Sequence, residues 1–130
     1  MNLREIQLTK ISIDCFRVMY DALLLYLASP TDFDGTDRKE IVFRSLALEL
    51  SAKIQHRAYG LTVFLMRPDE ISRRTRRMTL SAHHAVILLE ALSTTQGYMT
   101  TLQRAVAARI IEPLDRGLKE PHNINQVKHL

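Results

Sequence analysis

Residues 22–28 read Ala22-Leu23-Leu24-Leu25-Tyr26-Leu27-Ala28, the longest apolar run in the chain. The run is far short of the roughly 20 residues that a membrane-spanning helix needs. It is also too apolar for a helix with one wet face. A helix apolar on every side is buried on every side, so this stretch belongs either at the centre of a bundle or under a second subunit. Upstream, Leu3, Ile6, Ile13, Phe16, Met19, Tyr20, Leu23 and Leu27 fall near helical spacing, with Lys10, Asp14, Arg17 and Asp21 on a more polar side. The spacing predicts one long helix over 2–28, stopped by Ser29-Pro30 because the residue before proline avoids helical geometry.

Downstream, residues 31–37 are turn formers, with Thr36 or Asp37 as the expected N-cap and Glu40 in position for a capping box. A second helix follows from about 38. Phe43, Leu46, Ala47, Leu50, Ile54 and Ala58 mark its buried stripe, and Arg44, Glu49, Lys53, His56 and Arg57 lie mostly opposite. Its end reads three ways. Gly60 terminates it; or the stripe runs on through Leu61, Phe64 and Leu65 to Arg67-Pro68; or residues 61–66 form a strand that pairs with 74–80.

A third helix is predicted over about 82–93, capped by Thr79 or Ser81, with Ala85, Val86, Leu88, Leu89 and Leu92 as its apolar face. The short connection 93–97 makes the third and fourth helices antiparallel neighbours. The fourth carries Met99, Leu102, Val106, Ile110, Leu114 and Leu118. Pro113 predicts a kink or break within it, and Gly117 a frayed end. These readings give an all-α fold: a compact bundle of four main helices over 1–119, with a short β-hairpin between the second and third as the alternative for 61–80. Residues 120–130 are expected to form a flexible polar tail.

Composition agrees. With 130 residues, 46% hydrophobic and 25% charged, one globular domain is expected. Only four glycines and four prolines favour long helices with few turns, and the absence of Trp implies an aliphatic core. The first residues lack the apolar core of a secretory signal, so a cytoplasmic location is expected. The one cysteine, Cys15, excludes an internal disulfide and a multi-cysteine metal site.

Charge is concentrated. Residues 67–77 hold Arg67, Arg73, Arg74, Arg76 and Arg77 against Asp69 and Glu70, a net +3 out of +4 for the whole chain. Guanidinium forks match phosphate oxygens and stay charged at every relevant pH. The same patch also suits an acidic protein or a membrane surface, or serves as a solvated connector. Aromatic residues do not interleave with these arginines, as they do in single-strand binders.

Signatures of catalysis and metal binding are missing. His83-His84 are adjacent, so on a helix they diverge by about 100° where metal ligands sit three or four apart. One is expected to face solvent and the other to border the core. Asp32, Asp34 and Asp37 lack the remaining ligands of a calcium loop. The serines and Cys15 have no glycine-rich elbow beside them, and the glycines at 35, 60, 97 and 117 cradle no phosphate. No cofactor and no metal is expected.

The functional expectation is a non-enzymatic binding or assembly module that associates with itself or with another protein. Met19, Tyr20, Leu24, Leu25, Tyr26 and Leu27 are its candidate interface. The alternative is a nucleic-acid-binding accessory protein whose five arginines make sequence-tolerant contact with DNA or RNA phosphates.

Overall fold

The computed structural model of the chain describes residues 5–28, 38–63 and 75–119. Strand β1 (Glu5–Ile11) leads into α1 (Ile13–Ala28), followed by α2 (Arg38–Val63), β2 (Arg76–Ser81), α3 (Ala82–Thr94), a single 3₁₀ turn (Gln96–Tyr98) and α4 (Thr101–Lys119). The protein is predominantly helical, with one two-stranded antiparallel sheet made of β1 and β2.

The long helix expected over 2–28 is corrected at its start. Residues 5–11 are extended, and the helix begins only at Ile13, where the Ser12 hydroxyl accepts from the Cys15 amide at 3.4 Å. In β1, Ile6 and Leu8 face the core and Glu5 and Gln7 face out. Continued alternation would turn Lys10 inward. Instead the register shifts between Leu8, opposite Met78, and Ile11, opposite Arg76. This bulge contributes one extra residue, which brings Ile11 onto the core face and leaves Lys10 exposed.

Lys10 carries the cost with a φ of 57°. Left-handed backbone disfavours a residue with a Cβ by about 1–2 kcal/mol, whereas glycine adopts it freely. Lys10→Gly is therefore expected to stabilise the fold by about 0.5–1 kcal/mol after glycine's larger entropy loss is counted. Urea melts of the two proteins check this, and a destabilised variant contradicts the strained bulge.

Beta structure thus occurs between the second and third helices, as the alternative reading had it, but β2 pairs with the N-terminal strand, and 61–63 belong to a helix. Helix α2 runs through Gly60 to Val63, so the helical extension prevails there; residues 64–66 lie outside the described residues, as do the loop 29–37 with its candidate caps Thr36 and Asp37, and the tail 120–130.

Helices α1 and α3 occupy the middle, α2 and α4 flank them, and the sheet closes one end against α1, α3 and α4. Phe16, Met19, Leu23, Leu50, Ile54, Met78, Leu80, Leu88 and Leu114 are fully buried where these elements meet. Ser81 caps α3 as expected, its hydroxyl accepting from the His84 amide at 3.2 Å. Of the readings for Pro113, the break is absent, since the helix is continuous through it to Lys119, and Gly117 marks a close approach to β1 and not a frayed end: a Cβ there would lie 3.1 Å from Ile6 Cγ2.

Candidate interaction surfaces

The first half of α1 buries one broad side, Ile13, Cys15, Phe16, Val18, Met19, Ala22 and Leu23, and exposes Asp14, Arg17 and Asp21 on the other. After Asp21 the exposed side turns apolar. Leu24 and Leu25 are exposed, and Tyr20, Tyr26 and Leu27 are partly covered. Of the six residues expected at an interface, Met19 is corrected to the core, because the bundle closes over its side of α1. Leu24 and Leu25 are the accessible centre of the remainder.

These two leucines border an open groove of about 420 Å³ between α1 and the start of α4. Val18, Ala22 and Met99 contribute apolar walls, with Asp21, Tyr98 and Gln103 supplying polar atoms. Leu102, expected in the buried stripe of α4, is instead 74% exposed, and Tyr98 is 72% exposed. The connection from α3 to α4 holds both in place. Thr95 Oγ1 donates to the Ala91 carbonyl at 2.7 Å, the Tyr98 amide donates to the Thr95 carbonyl at 3.0 Å, and Arg104 Nε donates to the Gln96 carbonyl at 3.1 Å. Thr100 and Gln103 form a reciprocal capping box, with amide-to-side-chain bonds of 2.9 and 3.2 Å. The Thr-x-x-Gln spacing is the sequence signal of this cap.

On the other side of α1, the Arg44 guanidinium donates to the Leu27 carbonyl and lies 4.0 Å from Glu40. It satisfies one of the carbonyls left open at the end of α1. Burial raises the Tyr26 hydroxyl above the ordinary phenol range, and the charges of Glu40 and Glu90 add to this against the opposing effect of Arg44.

Of the five arginines, Arg76 and Arg77 are exposed on β2, while Arg67, Arg73 and Arg74 lie outside the described residues. Arg76 pairs in register with Ile11, beside the exposed Lys10. Lys10 and Arg109 line a small cavity of about 170 Å³ next to the bulge. The structure thus adds Lys10 and Arg109 to the cationic residues found in sequence. No sequence signal links them, because the sheet pairing and the α4 packing bring them together.

His83 is exposed and His84 buried, as expected of adjacent helical positions. His84 Nε2 lies 3.1 Å from Glu49 Oε1, but their alignment does not make a hydrogen bond. Among the described residues, no three or more His, Cys, Asp or Glu side chains gather as a metal site would require, and no helix is long and apolar enough to cross a membrane.

A second apolar surface was not anticipated. Ile41, Val42, Leu48 and Tyr59 on α2 are exposed, the last two at 59% and 66%. They lie across the helix from the stripe that packs inward. No protein-family model matches the chain, and neither a curated protein nor a solved structure is similar to it.

Proposed function

We propose that this chain is a non-enzymatic binding and assembly module that self-associates through the apolar surface at the end of α1. The observation that supports this is the change along the exposed side of α1 from Asp14, Arg17 and Asp21 to Leu24 and Leu25, which border an open apolar groove with Tyr98. One patch carries both a recess and protruding side chains. A two-fold contact between copies would let Tyr98 of each enter the groove of the other, as a self-complementary interface requires. Covering apolar surface is worth about 25 cal/mol per Å², and the exposed parts of Leu24, Leu25 and Tyr98 supply part of that drive.

The expected result is a light-scattering mass that rises with concentration above the 15.0 kDa of one chain. The double substitution Leu24→Lys with Leu25→Lys is expected to weaken that association without unfolding the chain, because both side chains are already exposed. A wild-type protein that stays at 15.0 kDa at every accessible concentration contradicts the reading.

A second reading, nucleic-acid contact through Arg67, Arg73, Arg74, Arg76 and Arg77, is favoured by the exposure of Arg76 and Arg77 beside Lys10. Phosphate contact releases counterions, so affinity for DNA or RNA is expected to fall linearly with salt on a logarithmic plot. Changing Arg73, Arg74, Arg76 and Arg77 to Gln is expected to flatten that slope. Absence of binding at low salt removes this reading.

A further inference from the structure

Beside the bulge of β1 the surface holds a notch of about 170 Å³. Its buried lining is apolar: Leu8, Ile11 and Ile110. Its exposed rim is polar, with Thr9 and Lys10 from β1 and Arg109 from α4. Such a space holds a few waters at about 30 Å³ each, whereas pockets for drug-sized ligands begin near roughly 300 Å³. The notch therefore suits one small group.

Two observations bear on the charge of that group. Lys10 reaches the rim from a left-handed backbone, φ 57°, where glycine would sit at lower energy. A bulge re-aims a side chain, and strain held at the rim of a cavity points to function. Secondly, neither Lys10 nor Arg109 forms an ion pair with a described residue. The two acids of α4 are engaged elsewhere, Glu112 with Arg116 at 3.2 Å and Asp115 with Lys119 at 3.0 Å.

We infer that Lys10 and Arg109 clasp one phosphate group, that of a nucleic-acid backbone, in this notch. The ammonium supplies a point charge, the guanidinium a fork that matches phosphate oxygens, and Thr9 a hydroxyl donor. The apolar lining keeps water from one side and strengthens both charged contacts. Continuity of charge favours a backbone over a lone anion. Ile11 pairs in register with Arg76, and Arg77 follows on the same strand. The Cα atoms of Lys10 and Arg76 are thus no more than roughly 9 Å apart. Positive charge runs on from the notch along β2, as a row of phosphates requires. The inference rests on the nucleic-acid reading and gives it a fixed phosphate position outside the arginine run.

The test is fluorescence anisotropy of the full chain with a mixed-sequence duplex DNA over a salt series, with circular dichroism to verify folding of each variant. Lys10→Gly and Arg109→Gln are each expected to weaken binding roughly threefold or more at low salt, and Lys10→Arg to retain it. Lys10→Gly is also expected to be the more stable protein, so its weaker binding cannot come from unfolding. Arg57→Gln, an equal loss of charge from an exposed position on α2, is the control and should have the smaller effect. Lys10→Gly and Arg109→Gln combined should lower the logarithmic salt slope by about 0.9, the share of one phosphate. A fall of twice that means two separate phosphates and overturns the shared notch. Effects at Lys10 and Arg109 no larger than at Arg57 overturn the inference.

Titration with inorganic phosphate, followed through the NMR amide shifts of residues 8–11 and 109–112, separates the two sources of the group. If duplex DNA does not bind at low salt, yet phosphate moves those amides and Arg109→Gln abolishes the movement, the notch holds free phosphate and the backbone source is overturned with the nucleic-acid reading. DNA binding lost on changing Arg73, Arg74, Arg76 and Arg77 but untouched at Lys10 and Arg109 keeps the nucleic-acid reading and removes this inference. Binding of neither ligand removes both.

Discussion

Phe16→Ala is expected to destabilise the protein by about 3–5 kcal/mol. Phe16 lies on the inner side of α1, is fully buried, and belongs to the single core cluster that α1 shares with the sheet, α2, α3 and α4. Removing the ring forfeits its transfer free energy and leaves a cavity that four surrounding elements cannot all close. Domains of this size have about 5–15 kcal/mol of total stability, so a large part of it disappears. A urea titration should show the midpoint falling with little change in slope, because the surface exposed on unfolding is nearly unchanged. Leu102→Ala is the control. That side chain is 74% exposed, and its loss should stay within about 0.5 kcal/mol. Equal effects at the two positions would mean that α1 is not the central helix.

Gly117→Leu is expected to cost about 1–3 kcal/mol by overpacking, and the cost should depend on Ile6. Replacing a helical glycine normally stabilises, since glycine is about 1 kcal/mol worse than alanine in a helix. Position 117 differs because the Cβ alone would stand 3.1 Å from Ile6 Cγ2 and 3.3 Å from Ile6 Cγ1. A leucine must push β1 away from α4 or take an unfavourable rotamer. In an Ile6→Ala background the added side chain has room, so the pair of changes should be less harmful than the sum of the singles. A coupling of about 0.5–3 kcal/mol is the usual range for residues in contact. Strict additivity in that double-mutant cycle would show that β1 does not lie on α4.

This second experiment probes the part of the fold that sequence reading missed. Residues 5–11 hide their strand character because the bulge breaks the alternation. Ile6 and Leu8 are in phase with each other, and Ile11 is out of phase with both. Without knowledge of the bulge, Ile6 and Ile13 fit a helical period well enough to extend α1 backwards. The decision between the two rests with Met78 and Leu80, some seventy residues away, which offer a partner edge and a shared buried face. Gly117 reads as a weak helix position for the same reason, since the Ile6 side chain that needs the space comes from the other end of the chain.

The candidate surfaces divide in a similar way. The apolar run at 22–28 poses a choice between a central helix and one covered by a partner, and the run itself divides: Ala22 and Leu23 are buried in the bundle, while Leu24 and Leu25 are exposed. On α2 the inner stripe was legible from spacing, but the outer one was overlooked because its apolar members alternate with Ser45, Ala52 and Gln55. Leu102 sits at a spacing that suits the buried side of α4, yet it lies in the first turn and is exposed.

Local chemistry determined the bodies of the four helices, the Ser81 cap and the concentration of arginine between the second and third helices. These follow from residue spacing and hydrogen bonds within a few positions of one another. Tertiary structure alone decided that the N-terminal segment is a strand, that Lys10 is strained, that Lys10 and Arg109 share a cavity, and which of two apolar sides of α2 remains wet. Each of those depends on groups far apart in the chain, and periodicity can show that a side chain is apolar without showing what will cover it.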